Sequence, residues 1–272
     1  MDRILIGTSG YSYDDWVGPV YPPGTRKSDY LEYYARRFRL TELNFTYYRL
    51  PTADGLRSIA RKTPDDFRFT VKAHRSITHD RGPEWHRETE LFAQAVSALR
   101  SVPFERPAVG GGHVDRLAGV LLQFPFSFHY DEENRRYLAS VTSALRPLRL
   151  FVEFRNDEWD QASVWREMER RELGLVIPDM PRLKGLPRVE PRLTAPWGYV
   201  RFHGRNDASW WNGTNVTRYD YLYREEELRA WVEPVRAMVR DAEAVVVTFN
   251  NHFAGQAVRN AEEFAAMIGS AA

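Results

Sequence analysis

The 272-residue sequence predicts a single (β/α)8 TIM-like barrel spanning residues 1–272. Eight short runs of apolar and β-branched residues recur along it, and helical patterns separate most of them. No shift in composition marks a second domain. Repeated strand–helix units make a parallel sheet with helices outside, and eight of them at this length favour a closed barrel over a doubly wound sheet.

The strand candidates in order are "ILIG" (4–7), "LTELN" (40–44), "FRFTVKAH" (67–74), "GVLLQF" (119–124), "LFVEFR" (150–155), "LGLVIPD" (173–179), "YVRFHG" (199–204) and "AVVVTFN" (244–250). The first helical pattern, "SDYLEYYARRF", places Ser28 as an N-cap, and "TADGLRSIARK" starts from Thr52. "EWHRETELFAQAVSALR", "DEENRRYLASVTSALR", "DQASVWREMERREL", "REEELRAWVEPVRAMVR" and "GQAVRNAEEFAAMI" follow, with Pro234 a kink in the fourth of these. Residues 180–198 are proline-rich and predict an irregular loop in place of the helix between strands six and seven. Residues 103–116, with "VGGGHVD", predict a flexible insertion.

Composition narrows the function. Lys plus Arg number 38 against 37 Asp plus Glu, so no overall charge points to nucleic acid as a partner. The absence of cysteine excludes disulfides and thiolate chemistry. The start "MDRILIGTSG" has no leader pattern and no run approaches a membrane span, so a soluble cytoplasmic protein is expected.

Candidate site residues come from period-two alternation. Barrel strands direct successive side chains to opposite faces, and the outer helices need the apolar face. In "LTELNF" Leu43 and Phe45 share one face, Glu42 and Asn44 the other. "FTVKAH" separates Lys72 and His74 from Val71 and Ala73, and "VEFR" sets Glu153 and Arg155 opposite Val152 and Phe154. "VRFH" and "VTFNNH" treat Arg201 with His203 and Asn250 with His252 in the same way. These polar pairs belong inside the mouth, where barrel enzymes carry their sites. The plain alternative is that the charges fill the barrel as internal ion pairs.

The assembled stretches "GTSGYSYDDWVGPVYPPG", "ELNFTYYRLP", "FRFTVKAHRSITH", "LLQFPFSFH", "VEFRNDEW", "YVRFHGRN" and "FNNHFAGQAVRNA" resemble the successive signatures of the YecE-like proteins, domain of unknown function 72. The resemblance runs from about residue 4 to 265 and implies a TIM-like barrel. It implies no reaction and carries over no catalytic residue. Tyr11 stands where Trp is expected, Phe126 where a second Pro is usual, and "ERPAVGGGHVD" is longer than typical.

The chemistry expected is metal-independent acid–base or hydrolytic work on a small polar substrate bearing phosphate or carboxylate. Glu42, Glu153, His203 and His252 are the catalytic candidates. Asn44, Lys72, His74, Gln123, Arg155, Asp179, Arg201 and Asn250, with the loop aromatics Tyr11 and Tyr47, are the binding candidates. A Lys72 Schiff base is a further option. No cofactor is predicted. A divalent metal in a phosphodiesterase or isomerase-like site is one alternative, disfavoured because three cations share the layer. A non-catalytic sugar- or nucleotide-binding barrel is the other, with Trp16, Trp159, Trp210 and Trp211 available for stacking, although Trp16 and Trp159 are better read as packing. His74, His79 and His86 as a run are read as surface positions.

Overall fold

The computed structural model describes residues 3–103 and 112–269. Eight parallel strands close into a barrel: β1 Ile4–Ser9, β2 Leu40–Leu43, β3 Arg68–Lys72, β4 Leu117–Gln123, β5 Leu150–Glu153, β6 Gly174–Asp179, β7 Trp197–Phe202 and β8 Ala244–Phe249. β1 pairs with β8, Ile4 opposite Val245, and this closes the ring. All eight predicted strands are present, and the fold is the predicted (β/α)8 barrel.

The outer helices follow the predicted patterns. Thr52 caps Ala53–Ala60 by accepting from the Gly55 amide, and Asp131 caps Glu132–Ala144 through Asn134 N–H. Trp85–Ser97, Ala162–Arg170 and Gln256–Ile268 form as expected, and Glu225–Asp241 runs through Pro234. The first helix differs. A 3-10 turn, Lys27–Asp29, precedes Tyr30–Tyr34, so Ser28 lies inside the turn and bonds Asp29 instead of capping. Residues 180–196 hold no helix, as the prolines predict. A two-residue antiparallel pair, Val102–Pro103 with His113–Val114, flanks residues 104–111, so most of the expected flexible insertion lies outside the described residues.

Two apolar layers result from the alternation. Leu43, Val71, Val152, Phe154, Val200, Phe202, Val247 and Phe249 face outward into the core shared with the helices. Inside, Leu40, Ala118, Leu121, Phe151, Val176, Tyr199 and Val246 pack together and fill the lower barrel. In β4 both Leu117 and Val120 face outward, three positions apart, because the register shifts opposite Phe69 and Thr70. Gly119 sits at that shift. A Cβ there would lie 2.5 Å from the Phe151 ring, so only glycine lets this ring close the interior.

Candidate active site at the barrel mouth

Above the apolar plug the same strands present polar side chains. The Tyr199 hydroxyl donates to Glu42 Oε2 and lies 3.1 Å from Thr248 Oγ1 and 3.3 Å from Thr70 Oγ1. Arg201, two residues further along β7, grips Glu42 by Nε and Nη2 at 2.9 and 2.7 Å and donates from Nη1 to Glu153 at 2.5 Å. Arg155 completes an ion pair with the other Glu153 oxygen. His203 bonds that oxygen through Nε2 at 3.1 Å and meets Asn250 through Nδ1, also at 3.1 Å.

This network sets the proton states. Burial alone raises the Glu153 carboxyl, but Arg155, Arg201 and His203 hold it well below the usual carboxylate range. Burial works against the Arg201 charge, yet Glu153 and Glu42 push its pKa well above normal. Burial, then Arg155, depress His203 to about 3, so its ring is neutral. The internal ion pairs of the plain alternative therefore exist, centred on Arg201.

Over this layer opens a cavity of about 600 Å³. Its polar wall includes Glu42, Asn44, Lys72, His79, Gln123, Arg155, Arg201, Arg218, Asn250 and His252. Its aromatic wall includes Tyr11, Tyr13, Tyr47, Tyr48, Phe126, Trp210, Trp211 and Tyr219. Lys72 Nζ donates to Gln123 Oε1 at 2.8 Å and lies 4.5 Å from the Tyr47 ring centre. Burial, then the nearby Arg201 guanidinium, lower its pKa to about 7. The His252 ring stacks on Tyr13 at 4.6 Å, and burial lowers its pKa. Asn44 Oδ1 and Arg218 Nε are buried without a hydrogen-bond partner.

The sequence candidates thus divide. Glu42, Asn44, Lys72, Gln123, Arg155, Arg201, Asn250, His252, Tyr11 and Tyr47 all reach the cavity. Glu153 and His203, expected to be catalytic, lie fully buried beneath it, with their polar atoms engaged by neighbours. His74 does not line it either, because β3 ends at Lys72 and the ring turns to Ser76 Oγ at 2.7 Å. Asp179 shares the outward parity of Leu175 and Ile177. It takes two bonds from Arg205 and one each from Tyr223 and Trp231, so it anchors the outer helix instead of meeting a substrate. "NNH" splits likewise: Asn250 and His252 face the mouth, while Asn251 ties Tyr221 to Asn260.

Tyr13, His79, Arg218 and Tyr219 are wall residues that escape the sequence reading. His79 lines the cavity, unlike the surface position its sequence run predicts, and burial, then Lys72, depress it to about 4. Arg218 and Tyr219 lie in the segment after β7, beyond the reach of strand parity. The one available signal is Thr214 three residues before Thr217, a capping box that opens the short helix Asn215–Arg218. Trp16 and Trp159 are buried packing residues, as expected, and donate to the carbonyls of His252 and Phe128. Among the described residues no three His, Asp or Glu side chains gather closely enough to hold a metal ion.

A parallel eight-stranded barrel with a polar, cation-rich mouth is the class that fold and site define. The chain belongs to the family described as protein of unknown function DUF72, whose model matches residues 5–272. It is 28% identical to the UPF0759 protein YunF of Bacillus subtilis, over 97% of this chain and 94% of that protein. A DUF72 family protein of Thermotoga maritima superposes with a TM-score of 0.87 at 37% identity, covering 98% of this chain and 100% of that one. One from Enterococcus faecalis gives 0.82 at 26% identity, covering 98% and 95%.

Proposed function

We propose that this barrel is an enzyme that holds a small phosphate- or carboxylate-bearing substrate in its mouth and acts on it by metal-independent acid–base chemistry. The observation that carries the reading is Arg218. Its guanidinium is half-buried in the cavity wall, its Nε has no partner, and it forms no ion pair among the described residues. Lys72, Arg155 and Arg201 line the same cavity, against Glu42 as the acid among its lining residues. Both Glu42 oxygens are already held by Arg201. A desolvated guanidinium without a counter-charge is unfavourable until an anion meets it, and its planar fork suits phosphate or carboxylate.

The groups for proton transfer are at hand. His252 is neutral near pH 7, and its ring nitrogens make no hydrogen bond among the described residues, so it can accept a substrate proton. Glu42 lines the same cavity as the second candidate. Glu153 and His203 act through others, by fixing Arg155, Arg201 and Asn250. The test is thermal unfolding of the native protein in increasing inorganic phosphate, against sodium chloride of matched ionic strength. Phosphate should raise the midpoint in a saturable way, and Arg218→Met should remove that rise while keeping its phosphate-free stability within about 0.5 kcal/mol. No rise in the native protein would end the anionic reading.

A further inference from the structure

We propose that Lys72 is a covalent nucleophile whose amine condenses with the carbonyl group of a small oxo acid or phosphorylated aldehyde or ketone to form an imine. The substrate's charged end in this inference rests on the anionic reading above; the amine's reactivity does not.

Lys72 stands at the end of β3 with Nζ facing the cavity, and no carboxylate among the described residues pairs with it. Among the described residues its one hydrogen-bond partner is the neutral amide oxygen of Gln123, at 2.8 Å. That amide is held in place, because Gln123 Nε2 donates to the Phe124 carbonyl at 2.8 Å. An amide oxygen can accept from the neutral amine as well as from the ammonium, and it holds the extra proton in place far less than a carboxylate there would. The nearby charges of Arg201 and Arg155 act in the same direction and those of Glu42 and Glu153 oppose them, but with burial as the largest cause much of the amine is left unprotonated near neutral pH.

Composition adds an independent argument. Only four of the chain's 38 basic residues are lysines, at 27, 62, 72 and 184. Lys27, Lys62 and Lys184 are exposed. A cation needed here for anion binding alone would be served by arginine, which this chain uses elsewhere and which already supplies Arg155, Arg201 and Arg218 around the cavity. Lysine adds what arginine lacks, an accessible lone pair.

The step balances without a further reactant. The Nζ lone pair adds to the carbonyl carbon while the π electrons move to oxygen. Both amine protons then leave with that oxygen as water, and a carbon–nitrogen double bond remains. Lys72, Arg155 and Arg218 line one cavity, so a small substrate can offer its carbonyl to the amine and its phosphate or carboxylate to a guanidinium, and the neutral rings of His79 and His252 face the same space.

The experiment traps the imine in the native protein at pH 7 with sodium cyanoborohydride. Pyruvate, glyceraldehyde 3-phosphate and uncharged glycolaldehyde serve as separate probes, and peptide mass mapping locates each adduct. Lys72 should be reduced on the order of tenfold or more faster than the exposed Lys27, Lys62 and Lys184, because burial and the neighbouring guanidiniums free its lone pair. Comparing pyruvate with glyceraldehyde 3-phosphate separates carboxylate from phosphate as the recognised group. Lys72→Arg keeps the charge and should lose the adduct while retaining stabilisation by phosphate. Labelling of Lys72 no faster than the exposed lysines overturns the inference. If phosphate still stabilises the protein in that case, the anionic reading stands without it. Fast labelling by glycolaldehyde and the anionic probes alike supports the nucleophile and overturns the anionic reading.

Discussion

Arg201 and Glu42 form a two-pronged ion pair inside the barrel, Nε to Oε2 at 2.9 Å and Nη2 to Oε1 at 2.7 Å. The pair joins β7 to β2 across the barrel, and the third guanidinium nitrogen reaches Glu153 on β5. One side chain therefore neutralises two buried acids.

Arg201→Met would leave both carboxylates without their shared partner. A loss of about 3–5 kcal/mol in unfolding free energy is expected from breaking a buried pair in this way. Urea denaturation monitored by tryptophan fluorescence measures it. A loss below about 1 kcal/mol would show that water or rearrangement satisfies the acids, contrary to a closed network.

Acid should weaken the fold in two stages. His203 has its folded pKa lowered to about 3 from an ordinary 6.5, so between these values the unfolded chain binds a proton that the folded one refuses. Its contribution is complete above about pH 6.5 and declines as pH falls toward 3. Glu153 is also depressed, so its contribution is complete above the ordinary 4.5 and is lost below that. Urea midpoints taken from pH 7 downward should fall before pH 5, and His203→Gln should flatten that first decline. A native curve level from pH 7 to 5 would contradict the neutral buried imidazole.

Asp179→Asn separates structural from functional acids. It weakens charge-assisted bonds to Arg205 and disturbs those to Tyr223 and Trp231, all away from the cavity. Stability should fall by about 1–3 kcal/mol. The affinity for phosphate, from the same thermal titration, should stay within about twofold, since no lining residue changes. A tenfold loss of affinity would return Asp179 to the site.

Gly119→Ala tests the interior plug. The new methyl would meet the Phe151 ring at 2.5 Å and the Arg149 carbonyl oxygen at 3.1 Å. A cost of about 1–3 kcal/mol is expected from overpacking, again by urea denaturation. A neutral result would mean that the ring can withdraw from the barrel centre.

The fold was legible because period-two alternation is a local property. Val71 against Lys72 and Phe154 against Arg155 state their faces within a few residues, and the barrel closes where the apolar faces meet helices. The same counting fails one step past a strand end. His74 follows β3 by two residues, and the chain has already turned toward Ser76. Asp179 is misplaced because its own neighbours, Leu175 and Ile177, fix an outward parity that its charge alone does not suggest, while its partners lie between 205 and 231. Arg218 and His79 sit in short helical turns past the strand ends, where three-dimensional closure rather than strand spacing decides what faces the cavity. Separating Glu153 from Glu42 as wall residues requires the coordinates, since both share the inward parity near the ends of their strands.

The helix-free segment 180–196 has a consequence for how this scaffold can diversify. Met180 and Leu186 pack with Trp210, and Leu183 and Tyr219 join them, apart from the principal core. Leu186, Trp210 and Tyr219 also face the cavity. One side of the entrance is thus a panel of two loops braced against each other. Substitutions in that panel can redraw the shape of the opening while the guanidinium–carboxylate lattice underneath stays as it is. The shape of the entrance and the integrity of the barrel are carried by different stretches of chain, which leaves the first free to change without endangering the second.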